Sequence, residues 1–150
     1  MKPRRWILAG LALAAGAAGA TLAGQVAVGQ TSPSSTPIIL GHSGSLFDRG
    51  VGVKVTVMVA CAPGDQGYVN VTLTERSGRS IAQGNGSNGF NCTGQIETMT
   101  VKAIAGSSGP FPGSWAPFVK GTAYGQAVLQ DCNPYYQCNA GTTAHNVTVK

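Results

Sequence analysis

The stretch "GVGVKVTVMVAC" puts valine at positions 51, 53, 55, 57 and 59 and Cys61 in the same phase, with Lys54, Thr56 and Met58 between them. Side chains of a strand alternate between faces, so this period of two assigns the valines and Cys61 to a core and the residues between them to solvent. "YVNVTLTER" repeats the pattern, with Val69, Val71 and Leu73 inward against Asn70, Thr72 and Thr74. Between the two lies "APGDQG", a turn by its Pro, Gly and Asp content. Further strands are expected around Ile81 and from Phe90 to Thr93, joined by the glycine-rich "GNGSNG". Others follow over "QIETMTVKAIA", with Met99, Val101 and Ala103 on one face, from Phe118 to Gln130, and over "AHNVTVK". No apolar period of 3.6 lasts for three turns, which argues against a helical core. About seven short, turn-separated strands define an all-β domain. An antiparallel β-sandwich is the expected form, and an open barrel is the alternative.

The N-terminus sets the compartment in which the cysteines must work. "MKPRRWILAGLALAAGAAGATLAG" has Lys2, Arg4 and Arg5 ahead of an Ile/Leu/Ala/Gly run that gives way to small residues such as Ala18, Ala20 and Ala23. That is the layout of a secretory signal peptide, so residues 1–24 are expected to be removed on export, with the boundary between 20 and 29. The run breaks into "GQVAVGQTSPSSTP" without a stop-transfer charge cluster. No stable membrane anchor is therefore expected once the signal is cleaved. Residues 25–37 read as a Ser/Thr/Pro linker. Residues 38–150 read as one secreted domain, long enough to bury a single core.

Charge excludes one class of partner. The chain carries ten Lys+Arg against five Asp+Glu, a formal charge of +5. Three of the basic residues lie in the signal, which leaves seven against five, or +2, on the exported chain. Those seven, from Arg49 to Lys150, are scattered, whereas nucleic acid binding needs a clustered stripe that neutralises several phosphates together.

The four cysteines are Cys61, Cys92, Cys132 and Cys138. Zinc sites use cysteine or histidine pairs with two to four residues between them, and thioredoxin-type redox centres use two; here the one close pair has five between, and the histidines are only His42 and His145. No metal and no cofactor is expected. In an oxidising compartment four cysteines most simply form two disulfides. Of the three connectivities, Cys61 with Cys92 and Cys132 with Cys138 is preferred, because Asn133-Pro134 favours a turn that brings the second pair together. The four Asn-X-Ser/Thr sequons, at Asn70, Asn85, Asn91 and Asn146, read as by-products of polar strand positions in a chain whose signal looks bacterial, and no glycan is expected on them.

Over residues 38–150 the strand pattern resembles the immunoglobulin-like sandwich. The resemblance is one of architecture: Cys61 and Cys132 are far enough apart for an antibody-type intersheet bridge, the competing connectivity, whereas the absence of a tryptophan on the second strand and of a tyrosine two residues before Cys132 departs from that pattern. The Ala/Gly-rich signal, the Ser/Thr/Pro linker and the "CAPG" and "NCTG" stretches also look like those of uncharacterised secreted proteins of actinobacteria. "QDCNPYYQCNAG" is similar to the short second disulfide loop of the enediyne-carrying apoproteins of the neocarzinostatin family. That resemblance implies a bridge at Cys132 and Cys138 and an open cleft holding an aromatic small molecule; the wider spacing of Cys61 and Cys92 departs from it.

Candidate functional residues are the aromatics of irregular segments. Phe111 and Trp115 fall in "GPFPGSWAPF", and Tyr135 and Tyr136 fall between the last two cysteines. Such residues can form flat recognition surfaces, whereas Phe118 is expected to fold back over the core. With Trp6 lost in the signal, Trp115 is the single tryptophan of the exported chain. Catalysis has less support. Nothing in the spacing of the acidic residues forces a hydrolytic carboxylate pair, and "GHSGS" lacks the second glycine of a nucleophile elbow. The expected function is that of a secreted, non-catalytic binding module for an extracellular protein, glycan or small molecule. A small-molecule carrier is the alternative, and a hydrolase using Asp131, His145 and a serine comes third.

Overall fold

The structure, a computed structural model, describes residues 36–106 and 116–150. The expected signal and most of the linker lie outside the described residues, as do Phe111 and Trp115. Seven strands follow one another: β1 (Ile38–Phe47), β2 (Gly52–Val59), β3 (Gln66–Ser77), β4 (Ser80–Asn91), β5 (Glu97–Ala105), β6 (Gly121–Cys132) and β7 (Cys138–Val149). A short 3-10 turn, Asp48–Gly50, joins β1 to β2.

The strands close into a barrel in the order β1-β2-β5-β4-β3-β6-β7, with β7 returning to β1. Every ladder is antiparallel except the last, β1 on β7. Two separate sheets are thus replaced by one closed surface, although the closure is uneven. β4 meets β5 only at Gly84↔Ala105 and Asn85↔Ile104, and β1 meets β7 only at Ser43↔Thr148 and Gly44↔Val149. Long ladders hold β1-β2-β5 on one side of these seams and β4-β3-β6-β7 on the other.

The alternating valines do what their period requires. Val53, Val55, Val57 and Val59 of β2 pack with Val69, Val71 and Leu73 of β3 inside the barrel, together with Val101, Leu129 and Val147. Val51 departs from the pattern and is 38 % exposed, because β2 begins only at Gly52, after the 3-10 turn. Phe118, 2 % exposed, closes one end of the core and donates its backbone N–H to the Gly50 carbonyl. The folded part starts slightly earlier than expected: Thr36 is buried and its hydroxyl donates to the carboxylate of Asp131.

The glycine-rich "GNGSNG" is no turn, since β4 runs unbroken through it. A Cβ on Gly86 would lie 2.0 Å from the Lys102 carbonyl oxygen, and one on Gly84 would lie 2.6 Å from that of Ile104. Glycine here lets β5 cross close against β4, which is how the seam forms.

Both disulfides have the expected pairing, Cys61 with Cys92 and Cys132 with Cys138. The first joins the segments just after β2 and β4, strands separated in the barrel by β5, and so staples one side of the barrel to the other. By loop entropy it contributes about 3 to 4 kcal/mol and the shorter bridge about 2 kcal/mol. Two disulfides fit an oxidising, extracellular environment. Among the described residues no helix is long and apolar enough to cross a membrane.

Candidate functional site

The β6–β7 hairpin ends on a bridged pair: Cys132 and Cys138 are direct cross-strand partners with Cα atoms 4.1 Å apart. Asn133 builds the loop between them. Its Oδ1 accepts from the N–H groups of Tyr135 at 2.9 Å and Gln137 at 3.0 Å, while its Nδ2 donates to Oε1 of Gln137 at 3.0 Å. An asparagine side chain standing in for a backbone acceptor is what lets so short a loop close. The result leaves no room for the tyrosine rings inside. Tyr135 is 84 % and Tyr136 92 % exposed.

Tyr136 also sits in the left-handed region, at φ 61°. An L residue with a Cβ is disfavoured there, and Gly or Asn is the usual occupant.

Beside this loop the outer surface of β4, β3 and β6 forms a cleft of about 540 Å³. Alternation brings its walls from three strands: Gln66 and Tyr68 from β3, Asn91 from β4, and Gln130 and Cys132 from β6. Gly89 stands directly opposite Tyr68. Its missing side chain, with nothing nearer than 3.9 Å to where a Cβ would be, leaves the floor beside the tyrosine ring open. A second depression of about 250 Å³ adjoins it, shares Gln66 and Cys132, and adds Asn133, Pro134 and Tyr136. The tyrosine loop and the cleft are therefore one continuous surface.

Among the described residues no charged side chain lines either depression. The Asp131 carboxylate serves the fold, buried against Thr36; Asp65 is also buried, and its backbone carbonyl accepts from the Cys92 N–H. Glu75, also buried, accepts from the Val119 N–H at 3.0 Å, and Glu97 accepts from Thr93. What remains at the cleft is amide and aromatic chemistry, able to donate and accept hydrogen bonds at once and to offer flat apolar faces.

The hydrolase constellation is not assembled. Asp131 stands opposite Asn139, whereas His145 stands opposite Gly125, six residues along β6 and about 20 Å away at ~3.4 Å per residue. His145 instead meets His42 of β1, with ring centroids 4.4 Å apart, just ahead of the two residue pairs that join β1 to β7. Among the described residues no three His, Cys, Asp or Glu side chains are placed to hold a metal ion.

Of the four aromatic candidates, Tyr135 and Tyr136 are at the cleft end of the barrel. The described flanks of the segment carrying Phe111 and Trp115, Gly106 and Ala116, lie at the other end, where Ala105 N–H bonds the Val51 carbonyl and Phe118 covers the core. Tyr68 is the residue that sequence reading passed over. The signal was present: it occupies the outward phase of "YVNVTLTER", where the neighbouring outward residues are Asn and Thr, and it is 50 % exposed.

No model of a known protein family matches this chain, and a search of curated proteins also gives no match. Among solved structures the chain is similar to the sporulation control protein Spo0M from Bacillus subtilis, at 15 % identity and a TM-score of 0.34. The alignment covers 77 % of this chain and 49 % of that one, so the chain spans about half the length of Spo0M.

Proposed function

We propose that this protein is a secreted, non-catalytic binding module, an immunoglobulin-like β-sandwich drawn closed at its edges, that recognises an extracellular partner through the Tyr68 cleft and the Tyr135-Tyr136 loop. One observation carries the reading: a fully exposed tyrosine, Tyr136, is held at φ 61° on the rim of an uncharged cleft. Backbone strain at an exposed aromatic has no packing benefit to offset it, and such strain concentrates at ligand sites. The short seams, two residue pairs each, support the sandwich description because the long ladders divide the strands three and four. The signal-like N-terminus and the two disulfides support export.

A small-molecule carrier is the second reading. A cleft of about 540 Å³ beside a short disulfide loop falls in the size range of small-molecule sites, ~300–1,000 Å³.

The test is to screen the exported protein against neutral and charged glycans, peptides and aromatic small molecules, alongside Tyr68→Ala and Tyr136→Asn. The reading expects a ligand that the native protein retains and both variants lose, with far-UV circular dichroism unchanged. Ligands retained equally by all three proteins would place recognition elsewhere and overturn it. A ligand with an aromatic absorption band that survives purification would favour the carrier.

A further inference from the structure

The cleft opens onto a larger surface with the same chemistry. Cross-strand register sets the outward residues of β4, β3, β6 and β7 in rows: Gly89, Tyr68, Gln130 and Ala140 in the first, and Gln83, Thr74, Tyr124 and Asn146 in the fourth. Asn70 and Val128 lie in the second row, and Thr72 and Gln126 in the third. No Lys, Arg, Asp or Glu occurs in these four rows; Arg76 begins the next row, and Lys102 of β5 borders the face at the β4–β5 seam beside Gly86. Beyond that seam, by contrast, charge appears: Lys54 and Lys102 stand directly opposite each other on β2 and β5.

Resting on the binding-module reading above, we propose that this face binds a neutral polysaccharide laid along the strands from the Tyr136–Tyr68 cleft to Tyr124. Three features select that ligand class. Sugar hydroxyls need partners that both donate and accept, and amide side chains such as Gln66, Gln130, Gln126 and Asn70 do both. The C–H faces of a pyranose ring need flat aromatic surface, which Tyr68, 50 % exposed, and Tyr124, 54 % exposed, provide. The absence of charge gives no attraction to an anionic polymer and no long-range steering.

A protein partner fits less well. The centre of a protein interface is enriched in large apolar residues, aromatics and Arg, while the middle rows here are Ser87, Asn70, Val128 and Thr142, then Asn85, Thr72, Gln126 and Ala144, with Val128 the single large apolar side chain. Length follows from register: Tyr68 is opposite Gln130, six residues along β6 from Tyr124, so the rings are about 20 Å apart at ~3.4 Å per residue. Only a chain of several sugars reaches both.

The experiment is affinity electrophoresis of the exported protein, as processed, in gels containing uncharged polysaccharides (cellulose derivatives, glucomannan, starch, glycol chitin in its N-acetylated form) and one anionic control, alginate. It is followed by calorimetry with the disaccharide and a long oligosaccharide of the polymer that retards it. The expected result is retardation by a neutral polymer that persists in high salt. Tyr68→Ala should weaken both oligosaccharides by about tenfold or more, whereas Tyr124→Ala should weaken the long one alone. Lys54→Ala, on the opposite side, should bind as the native protein does. Both tyrosines are half exposed, so the variants should fold, which is checked by their denaturant midpoints. No retardation by any neutral polymer, or retardation by alginate alone that salt abolishes, overturns the polysaccharide inference. If a peptide or small molecule still binds and Tyr68→Ala removes it, the binding module stands without the glycan; if Tyr68→Ala and Tyr136→Asn remove no binding, both fail.

Discussion

Replacing Tyr136 with asparagine is expected to make the protein more stable, although it removes a large aromatic side chain. At φ 61° a residue with an ordinary Cβ is disfavoured by about 1–2 kcal/mol. Tyr136 is 92 % exposed, so it buries almost no apolar area that could offset this. Asparagine tolerates the left-handed region, and Tyr136→Asn should gain about 0.5–1 kcal/mol. Glycine relieves the strain as well but enlarges the unfolded ensemble, which takes back about 0.4–1 kcal/mol, so Tyr136→Gly should also be more stable than native, by a margin similar to that of the asparagine variant. Tyr135, equally exposed but with a negative φ, is the control: Tyr135→Asn should change stability by less than about 0.5 kcal/mol. Urea denaturation with both disulfides intact reads the effect as a raised midpoint at constant slope, and heating reads it as a gain of roughly 2–5 °C. If Tyr136→Asn instead loses 1 kcal/mol or more, the ring is structural and its position needs no ligand to explain it.

Two other substitutions probe how the barrel is closed. Gly86→Ala puts a Cβ 2.0 Å from the Lys102 carbonyl oxygen, so it must push β5 away from β4 and should cost about 1–3 kcal/mol in a denaturant titration. The same change at Gly89, where nothing lies within 3.9 Å, should be tolerated within about 0.5 kcal/mol. Thr36→Val leaves the buried Asp131 without its hydroxyl donor and should cost about 1.5–3 kcal/mol, measured the same way. Replacing Cys61 and Cys92 together by serine should lower stability by about 3–4 kcal/mol, against about 2 kcal/mol for the Cys132 and Cys138 pair.

Period two makes the core legible in the residues alone, because Val53 to Val59 and Val69 to Leu73 depend only on local alternation. The two disulfides are legible for a similar reason: the Asn133-Pro134 turn fixes one pair locally, and the other follows by exclusion. Closure of the barrel is not. It rests on β5 crossing β4 at Gly84 and Gly86, and a glycine that admits a distant strand looks the same in sequence as a glycine that makes a turn. The same ambiguity splits β4 into two expected strands. β1 escapes notice because its apolar phase breaks between Leu40 and Gly44, where its register shifts. At the candidate site the exposed tyrosine pair can be seen in the sequence, but Tyr68 joins it only through the register of β3 on β6, which places Gln66 opposite Cys132.

The most direct test of a recognition surface at this end of the barrel is an amide NMR titration of the isotope-labelled protein with the panel of neutral oligosaccharides, peptides and aromatic small molecules. The account predicts that a binding member shifts the backbone amides of Gln66, Tyr68, Gly89, Gln130 and Tyr136, and leaves those of Ser45, Lys54 and Thr56, on β1 and β2, in place. A member that binds while moving only the second set, with the cleft amides unmoved, would contradict it.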